Sequence, residues 1–556
     1  GCGKTVGVEA FARLTAMHAP YVINVNGGMT AARLLEQLEA AIAEATDVPE
    51  RTIVVQLDEV NTMADTWTAK ELVLDRCILG RRVPPNIVFV AIMNPTRKRT
   101  DAQQAALDAV DSLGGLNYAE MSAEAKTAAG DAAQRDEDDE AVADAETSND
   151  KEDAAAAQRS RRFVYQVQPC ADAIMAYAWD FGSAATNYST LETALKVTHN
   201  RTRLPALANK GQERITDEVL FAESVLDWVV RMKLKSASRT LAADFRAAND
   251  RDGDKEHWRA FRSIVCTLLG VSQDFLRQTF HGDGSVVSMR DMVRTVKFIP
   301  FIMECYERRA EVSGVATADA HPGFAALSAS VQIAFVLVYY LRLDAARRQE
   351  YLNRLQAEWQ NARAPFKDIA SDFLAVPASA YDIYGRTFDN LAEYLCGCLP
   401  QADGLAVNEA LKENVLSMFA AFMTRQPHFI VGRPGSSKTR SVESLIAATD
   451  PNTAATQCEF FRRFGVRIQK FVLQCSRHTT ADDVLRVAKA AAKFQRERND
   501  MVCVLVLEEV GVTIGSRHNP LMMLHSLIDH GVPVDAQDGT VKLIRIPILG
   551  VSNWML

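Results

Sequence analysis

Residues 429–445, FIVGRPGSSKTRSVESL, limit the fold more than any other stretch of the chain. A short β-branched run ends at Gly432, a turn passes through Gly435, Ser436 and Ser437, and a helical pattern begins at Lys438 and Thr439. Strand, turn and helix in that order aim successive main-chain N–H groups into one concavity, and the helix adds the positive end of its dipole. Lysine adds a full charge, and the hydroxyl of a threonine one residue on suits Mg²⁺. The pattern G-x-x-x-x-G-K-S/T is met at Gly432, Lys438 and Thr439, with Ser437 where the second glycine is expected. The stretch reads as a phosphate-cradling loop with Gly432, Gly435, Ser436, Ser437, Lys438 and Thr439 as candidate ligands. The alternative is an ordinary Gly/Ser turn ahead of a helix.

The chain opens on what reads as part of a second such loop. Gly1-Cys2-Gly3-Lys4-Thr5 matches the second half of the pattern, so Gly1, Gly3, Lys4 and Thr5 are candidate phosphate-binding residues. Thr5 and Thr439 are both candidate Mg²⁺ ligands. On this reading the chain is a segment of something longer, with the opening strand of the first module before Gly1. The last strand and lid of the second would come after Leu556. Such a segment produced alone is expected to be unstable or to aggregate.

The order of elements after each loop repeats. Behind the first loop come a helix (6–17), a strand at Tyr21–Val25, a turn, and an amphipathic helix carrying Leu34, Leu35, Leu38 and Ile42. The apolar run Ile53–Leu57 then ends in Asp58-Glu59. A continuous apolar run suits a parallel strand buried on both faces, and its carboxyl end is where such sheets bind ligands. Asp58 there can hold Mg²⁺, and Glu59 can orient and polarise an attacking water. The next strand, 87–92, leads to Asn94, an amide able to hold that water from the other side. In the second copy the strand 466–474, the turn 475–480 and the helix 481–494 precede Val502–Leu507, which ends in Glu508-Glu509. A last strand, 546–553, ends in Asn553. Glu59, Glu509, Asn94 and Asn553 are therefore the candidate catalytic residues, and Asp58 and Glu508 the candidate metal-binding carboxylates.

Between the copies the composition changes. Residues 101–160 are rich in Ala, Asp and Glu without a period, which predicts a disordered insert. A strand at 162–167 and a run of helices come next. In that run Arg290 and Arg294 lie four apart on one helical face, and Arg290 is the candidate to offer phosphate a cation from a helical lid. The expected division is a first large subdomain over 1–167, its lid over 168–300, a helical bridge over 301–404 and a second large subdomain over 405–556. The fold class is α/β: tandem AAA+ P-loop modules with parallel sheets and α-helical lids.

Composition excludes several alternatives. A net charge of −8 over 556 residues leaves no basic excess for nucleic acid. Hydrophobic residues at 48% and charged residues at 24% suit a globular protein. The most apolar run, 331–343, reads as a buried helix, too short for a transmembrane segment. Ten scattered cysteines suggest reduced thiols and an intracellular, cytoplasmic location.

The motifs and the words around them resemble one AAA+ subgroup, the mysterin-type giant ubiquitin ligases. The resemblance rests on Asp58-Glu59-Val60-Asn61-Thr62, Pro85-Asn86-Ile87, Asn94-Pro95, Trp179-Asp180-Phe181-Gly182, Ser288-x-Arg290-Asp291 and Leu411-Lys412-Glu413-Asn414. It continues through Gly432-x-Pro434-Gly435-Ser436-Ser437-Lys438, Gln474-Cys475-Ser476, Glu509-Val510-Gly511 and Ser552-Asn553-Trp554. It implies two nucleotide-competent modules, binding ATP and Mg²⁺, within a six-module dynein-like core. Neighbouring AAA+ modules and, through the parent chain, the ubiquitin machinery would be the partners. An arginine finger would come from a neighbouring module, with Arg97 and Arg99 as the candidates. The family has aspartate where this chain has Glu508, which puts hydrolysis at the second site in doubt. A nucleotide-holding scaffold, or a midasin-like or dynein-like remodeller, is the alternative reading.

Overall fold

A computed structural model describes residues 4–94 except 16–18, 26–28 and 64–65, then 170, 172–178, 241, 243–244, 253–280 and 286–314. It further describes 322–400, and 407–553 except 433–434, 451–457, 466, 499, 514–519 and 536–540. The acidic stretch 101–160, the strand expected at 162–167, Arg97 and Arg99 lie outside the described residues.

The chain begins with α1 (Lys4–Thr15), β1 (Tyr21–Asn24) and α2 (Ala31–Asp47). Thr30 caps α2, its hydroxyl accepting the Arg33 N–H at 3.3 Å, which satisfies one donor that a helix start leaves open. Leu34, Leu38, Ala41, Ile42 and Ala45 form the buried stripe of α2. Next come β2 (Ile53–Asp58), a 3₁₀ turn (Val60–Thr62), α3 (Thr66–Val73), the short hairpin β3 (Cys77–Ile78) and β4 (Arg81–Arg82), and β5 (Ile87–Ala91). The three longer strands pair in parallel in the order β1-β2-β5. Central β2 is buried from Ile53 to Leu57, Gln56 included, as its otherwise apolar run requires.

A helical block comes next: α4 (Gly253–Thr279), α5 (Met289–Ser313), α6 (Pro322–Val338), α7 (Ala345–Arg363), a π-helical segment (Asp382–Phe388), α8 (Asp389–Gly397) and α9 (Glu409–Met423). The boundary expected at residue 300 falls inside α5. Pro300 is buried within that helix without ending it, so the helices before and after residue 300 pack as one block with one core. Continued as far as Arg342, the α6 segment is also longer than the run read from sequence. Its 21 residues, Pro322–Arg342, reach membrane-spanning length and hold a window with a mean hydropathy of 1.9, yet 78% of that window is buried among the other helices.

Asp291 secures this block at the start of α5. Its carboxylate accepts the Ser288 N–H at 2.8 Å, closing a reciprocal cap with the Ser288 side chain. The same carboxylate pairs with Arg342. Asp291→Ala removes a cap and leaves a half-buried guanidinium without its partner, which should cost about 2 kcal/mol. Faster amide exchange across 289–313 would register it; unchanged exchange would refute it.

The second sheet is built on this block. Here the elements are β6 (His428–Val431), α10 (Lys438–Thr449), α11 (Glu459–Phe464), β7 (Arg467–Gln474), α12 (Ala481–Glu497), β8 (Met501–Glu508) and α13 (Met522–Asp529). A hairpin, β9 (Val532–Asp535) and β10 (Val541–Ile544), leads into β11 (Ile548–Ser552). The sheet is parallel in the order β6-β11-β8-β7. Its last three strands repeat the first sheet in register: Asn24 lies opposite Asp58, and Gln474 opposite Glu508. Thr480 caps α12 as Thr30 caps α2. The cysteines among the described residues are free thiols.

Candidate functional site

In the first half three candidates meet. Lys4, at the head of α1, donates through Nζ to the Met93 carbonyl at 2.5 Å and to Asn94 Oδ1 at 3.2 Å. The Asn94 amide nitrogen in turn donates to Glu59 Oε1 at 3.4 Å. Lys4 and Glu59 are thus joined by one asparagine, carried there by the end of β5 beside β2. Asp58 ends β2 with a mostly buried side chain, and its Oδ1 accepts the Glu59 N–H at 3.1 Å. Thr5 lies in the first turn of α1; Gly1 and Gly3 lie outside the described residues.

Glu59 has φ 55° and ψ 41°, the left-handed region that side chains avoid. Glu509 has φ 54° at the matching position. Holding a non-glycine residue there costs on the order of 1–3 kcal/mol, offset by the bonds on either side. The Thr62 hydroxyl donates to the Glu59 carbonyl at 2.9 Å, and the Val60 N–H to the Ile92 carbonyl at 2.9 Å. The strained turn lifts each glutamate out of its strand, so that its carboxylate reaches the asparagine of the neighbouring strand.

The second half repeats the pairing of glutamate with asparagine, while its lysine turns to Gly432 and Ser436. Lys438 is buried at the head of α10, its Nζ donating to the Gly432 carbonyl at 2.6 Å and lying 3.3 Å from Ser436 Oγ. Desolvation lowers the Lys438 pKa, and the Glu509 carboxylate opposes that shift, so the two charges share one environment. Asn553 Nδ2 donates to Glu509 Oε1 at 2.6 Å. Gly435 has φ 83°, a left-handed backbone that favours glycine, and a Cβ on Gly432 would stand 2.9 Å from Ser436 Oγ, so that the serine side chain would have to shift. Ser437 has φ 59°. The usual second glycine is thus the left-handed residue of the loop, and serine takes that conformation at a cost of roughly 1–2 kcal/mol. Asn414 of α9 braces the turn from below, Nδ2 to the Ser436 carbonyl at 3.4 Å. Thr439 is exposed in the first turn of α10, and Glu508 ends β8 partly buried.

The two halves touch at the first site. A cleft is lined by Asn24, Val25, Asp58 and Glu59 on one wall and by α13 with His530 on the other. His525 Nδ1 lies 3.9 Å from Glu59 Oε1, and His530 Nε2 lies 3.9 Å from Asp58 Oδ2. Interaction with the Asp58 carboxylate raises the His530 pKa. Arg290, the candidate lid cation, pairs with Asp529 of α13, which lines the same cleft. Sequence reasoning missed α13 altogether, because its contacts to the first half lie hundreds of residues away in the chain and leave no local pattern.

The donors fit the chemistry expected of them. Asp58, Glu508 and Thr439 offer the hard oxygens that Mg²⁺ prefers. A buried ammonium at the head of a helix suits a phosphate.

Comparison with known proteins agrees with this construction. Residues 404–556 match the family described as the RNF213 AAA domain. Over its whole length the chain is 22% identical to the E3 ubiquitin-protein ligase rnf213-beta of Danio rerio. It is 24% identical to the E3 ubiquitin-protein ligase RNF213 of Homo sapiens and 23% identical to that of Mus musculus. The chain spans 9% of the length of each of these relatives. It resembles mysterin-type (RNF213) AAA+ proteins from end to end, and its parallel α/β sheets with many helices fit the AAA+ fold.

Proposed function

We propose that this chain, like the RNF213-type AAA+ chains it resembles, is a pair of tandem AAA+ modules that bind ATP with Mg²⁺, the first of which hydrolyses it. The observation that supports this best is the meeting of Lys4 and Glu59 on Asn94. Lys4 and Lys438 would neutralise phosphate charge, with main-chain donors at Gly1, Gly3, Gly435, Ser436 and Ser437 beside them. Thr5 with Asp58, and Thr439 with Glu508, would hold Mg²⁺, which when bound screens the charge of the phosphates. Glu59 would take the proton of the attacking water while Asn94 orients that water, with Glu509 and Asn553 their counterparts. Arg290 would reach phosphate only after leaving Asp529.

The parent would be an E3 ubiquitin ligase, partnered by the ubiquitin machinery and by neighbouring AAA+ modules, and located in the cytoplasm. A scaffold role for the second half is the competing reading. Glu508 favours it, because one extra methylene moves the metal-binding carboxylate and Mg²⁺ demands near-ideal octahedral geometry.

Lys4→Ala and Lys438→Ala, made separately in the full-length protein, test both readings. Each should weaken ATP binding at its own site by about 10- to 100-fold, the size of a lost charged hydrogen bond. Phosphate release should fall mainly with Lys4→Ala. Unchanged binding in both variants would sink the proposal. Equal losses of turnover would instead make the second half an active site.

A further inference from the structure

We propose that Asn61 is a positioning residue for the first site, holding Asn94 against Glu59 by gripping the main chain of Asn94. The inference rests on the reading that Glu59 and Asn94 flank the attacking water. Asn61 is buried, 1% exposed, in the 3₁₀ turn after Glu59. Its Nδ2 donates to the Asn94 carbonyl at 2.8 Å, and its Oδ1 accepts the Asn94 N–H at 3.3 Å. One amide side chain therefore satisfies both main-chain groups of Asn94 and fixes the residue past the end of β5, where strand pairing has stopped. The Asn94 side chain can then bridge Lys4 and Glu59. The grip also runs from the turn that holds Glu59 left-handed, so general base and water-orienting amide are set by the same few residues.

The second half lacks this device. In the aligned turn, Glu508-Glu509-Val510-Gly511 against Asp58-Glu59-Val60-Asn61, glycine replaces asparagine. Asn553 still reaches Glu509, but no side chain at position 511 can clamp its main chain. The two sites therefore share their reacting groups and differ in what orders them. The turn alone separates a clamped site from an unclamped one, independently of Glu508.

The test uses the full-length protein carrying Glu509→Gln, so that phosphate release reports the first site. Asn61→Gly installs the residue of the second half. Asn61→Asp keeps an acceptor for the Asn94 N–H and sets an oxygen against the Asn94 carbonyl. Both variants should lower kcat by about 10- to 100-fold, the usual consequence of displacing a catalytic group by an ångström. KM for ATP and equilibrium ATP binding should stay within about twofold, since Lys4 keeps its charge and its bond to the Met93 carbonyl. Amide exchange at Asn94 should quicken in both. A loss of ATP binding with unchanged kcat would make Asn61 merely structural and overturn the inference. Full kcat in both variants, with Glu59→Gln inactive, would overturn it while leaving the Glu59 reading intact. Undiminished turnover in Glu59→Gln would instead remove the reading beneath it.

Discussion

Glu59→Gln in the full-length protein is expected to lower phosphate release at the first site by about 10²- to 10⁴-fold, the range that a positioned general base contributes. ATP should stay bound, because glutamine keeps the size of the side chain and Lys4 keeps its charge. The geometry explains why the effect should be large. Glu59 is held by the left-handed turn, and its carboxylate meets Asn94 from the neighbouring strand. Glutamine can fill that position and still face Asn94, but it cannot take a proton. Glu509→Gln is the internal control. If Glu508 and the unclamped turn weaken the second site, Glu509→Gln should change total turnover far less than Glu59→Gln. Loss of ATP binding rather than of turnover in Glu59→Gln would show that the carboxylate holds the site together instead of serving the chemistry.

The parts of this site differ in how far they can be read from the chain. Strands β2, β8 and β11 were legible because burial on both faces demands apolar runs, and the polar residue that ends each run is visible by contrast; β5 was legible from its β-branched run, although Val88 is exposed. The pairing of Asn94 with Glu59 and of Asn553 with Glu509 comes naturally once those strands are neighbours. The loop was legible because the left-handed backbone at Gly435 favours glycine and the lysine follows at a fixed spacing. The Asn61 grip was not legible, since a side chain satisfying the main chain 33 residues on has no spacing rule. Nor was the approach of α13 to the first site, with the Arg290–Asp529 pair spanning 239 residues. The lid boundary failed at Pro300, where packing on every side keeps the helix continuous although proline removes a hydrogen bond.

Phe419→Ala should have the largest effect on stability, and its effect should be local to one half. Phe419 is 1% exposed on α9, with its ring 5.2 Å from Phe301, 5.4 Å from Phe461 and 5.3 Å from Phe464, centre to centre. It joins α5 of the helical block to α11 beside the second sheet. Removing the ring leaves a cavity among aromatic neighbours too large to close it, a cost of about 3–5 kcal/mol. The core of the first sheet is a separate cluster built on Ile23, Leu34, Leu38, Val55 and Leu57, without Phe419. Amide exchange should therefore quicken across 409–464 and stay unchanged across 31–58. Because α9 also carries Asn414, which braces Ser436, ATP binding at the second site should weaken while the first retains its affinity. Uniformly faster exchange through both halves would show that the two cores unfold as one unit. The helical block would then be a shared foundation for both sites, and a change in either site would be felt directly by the other.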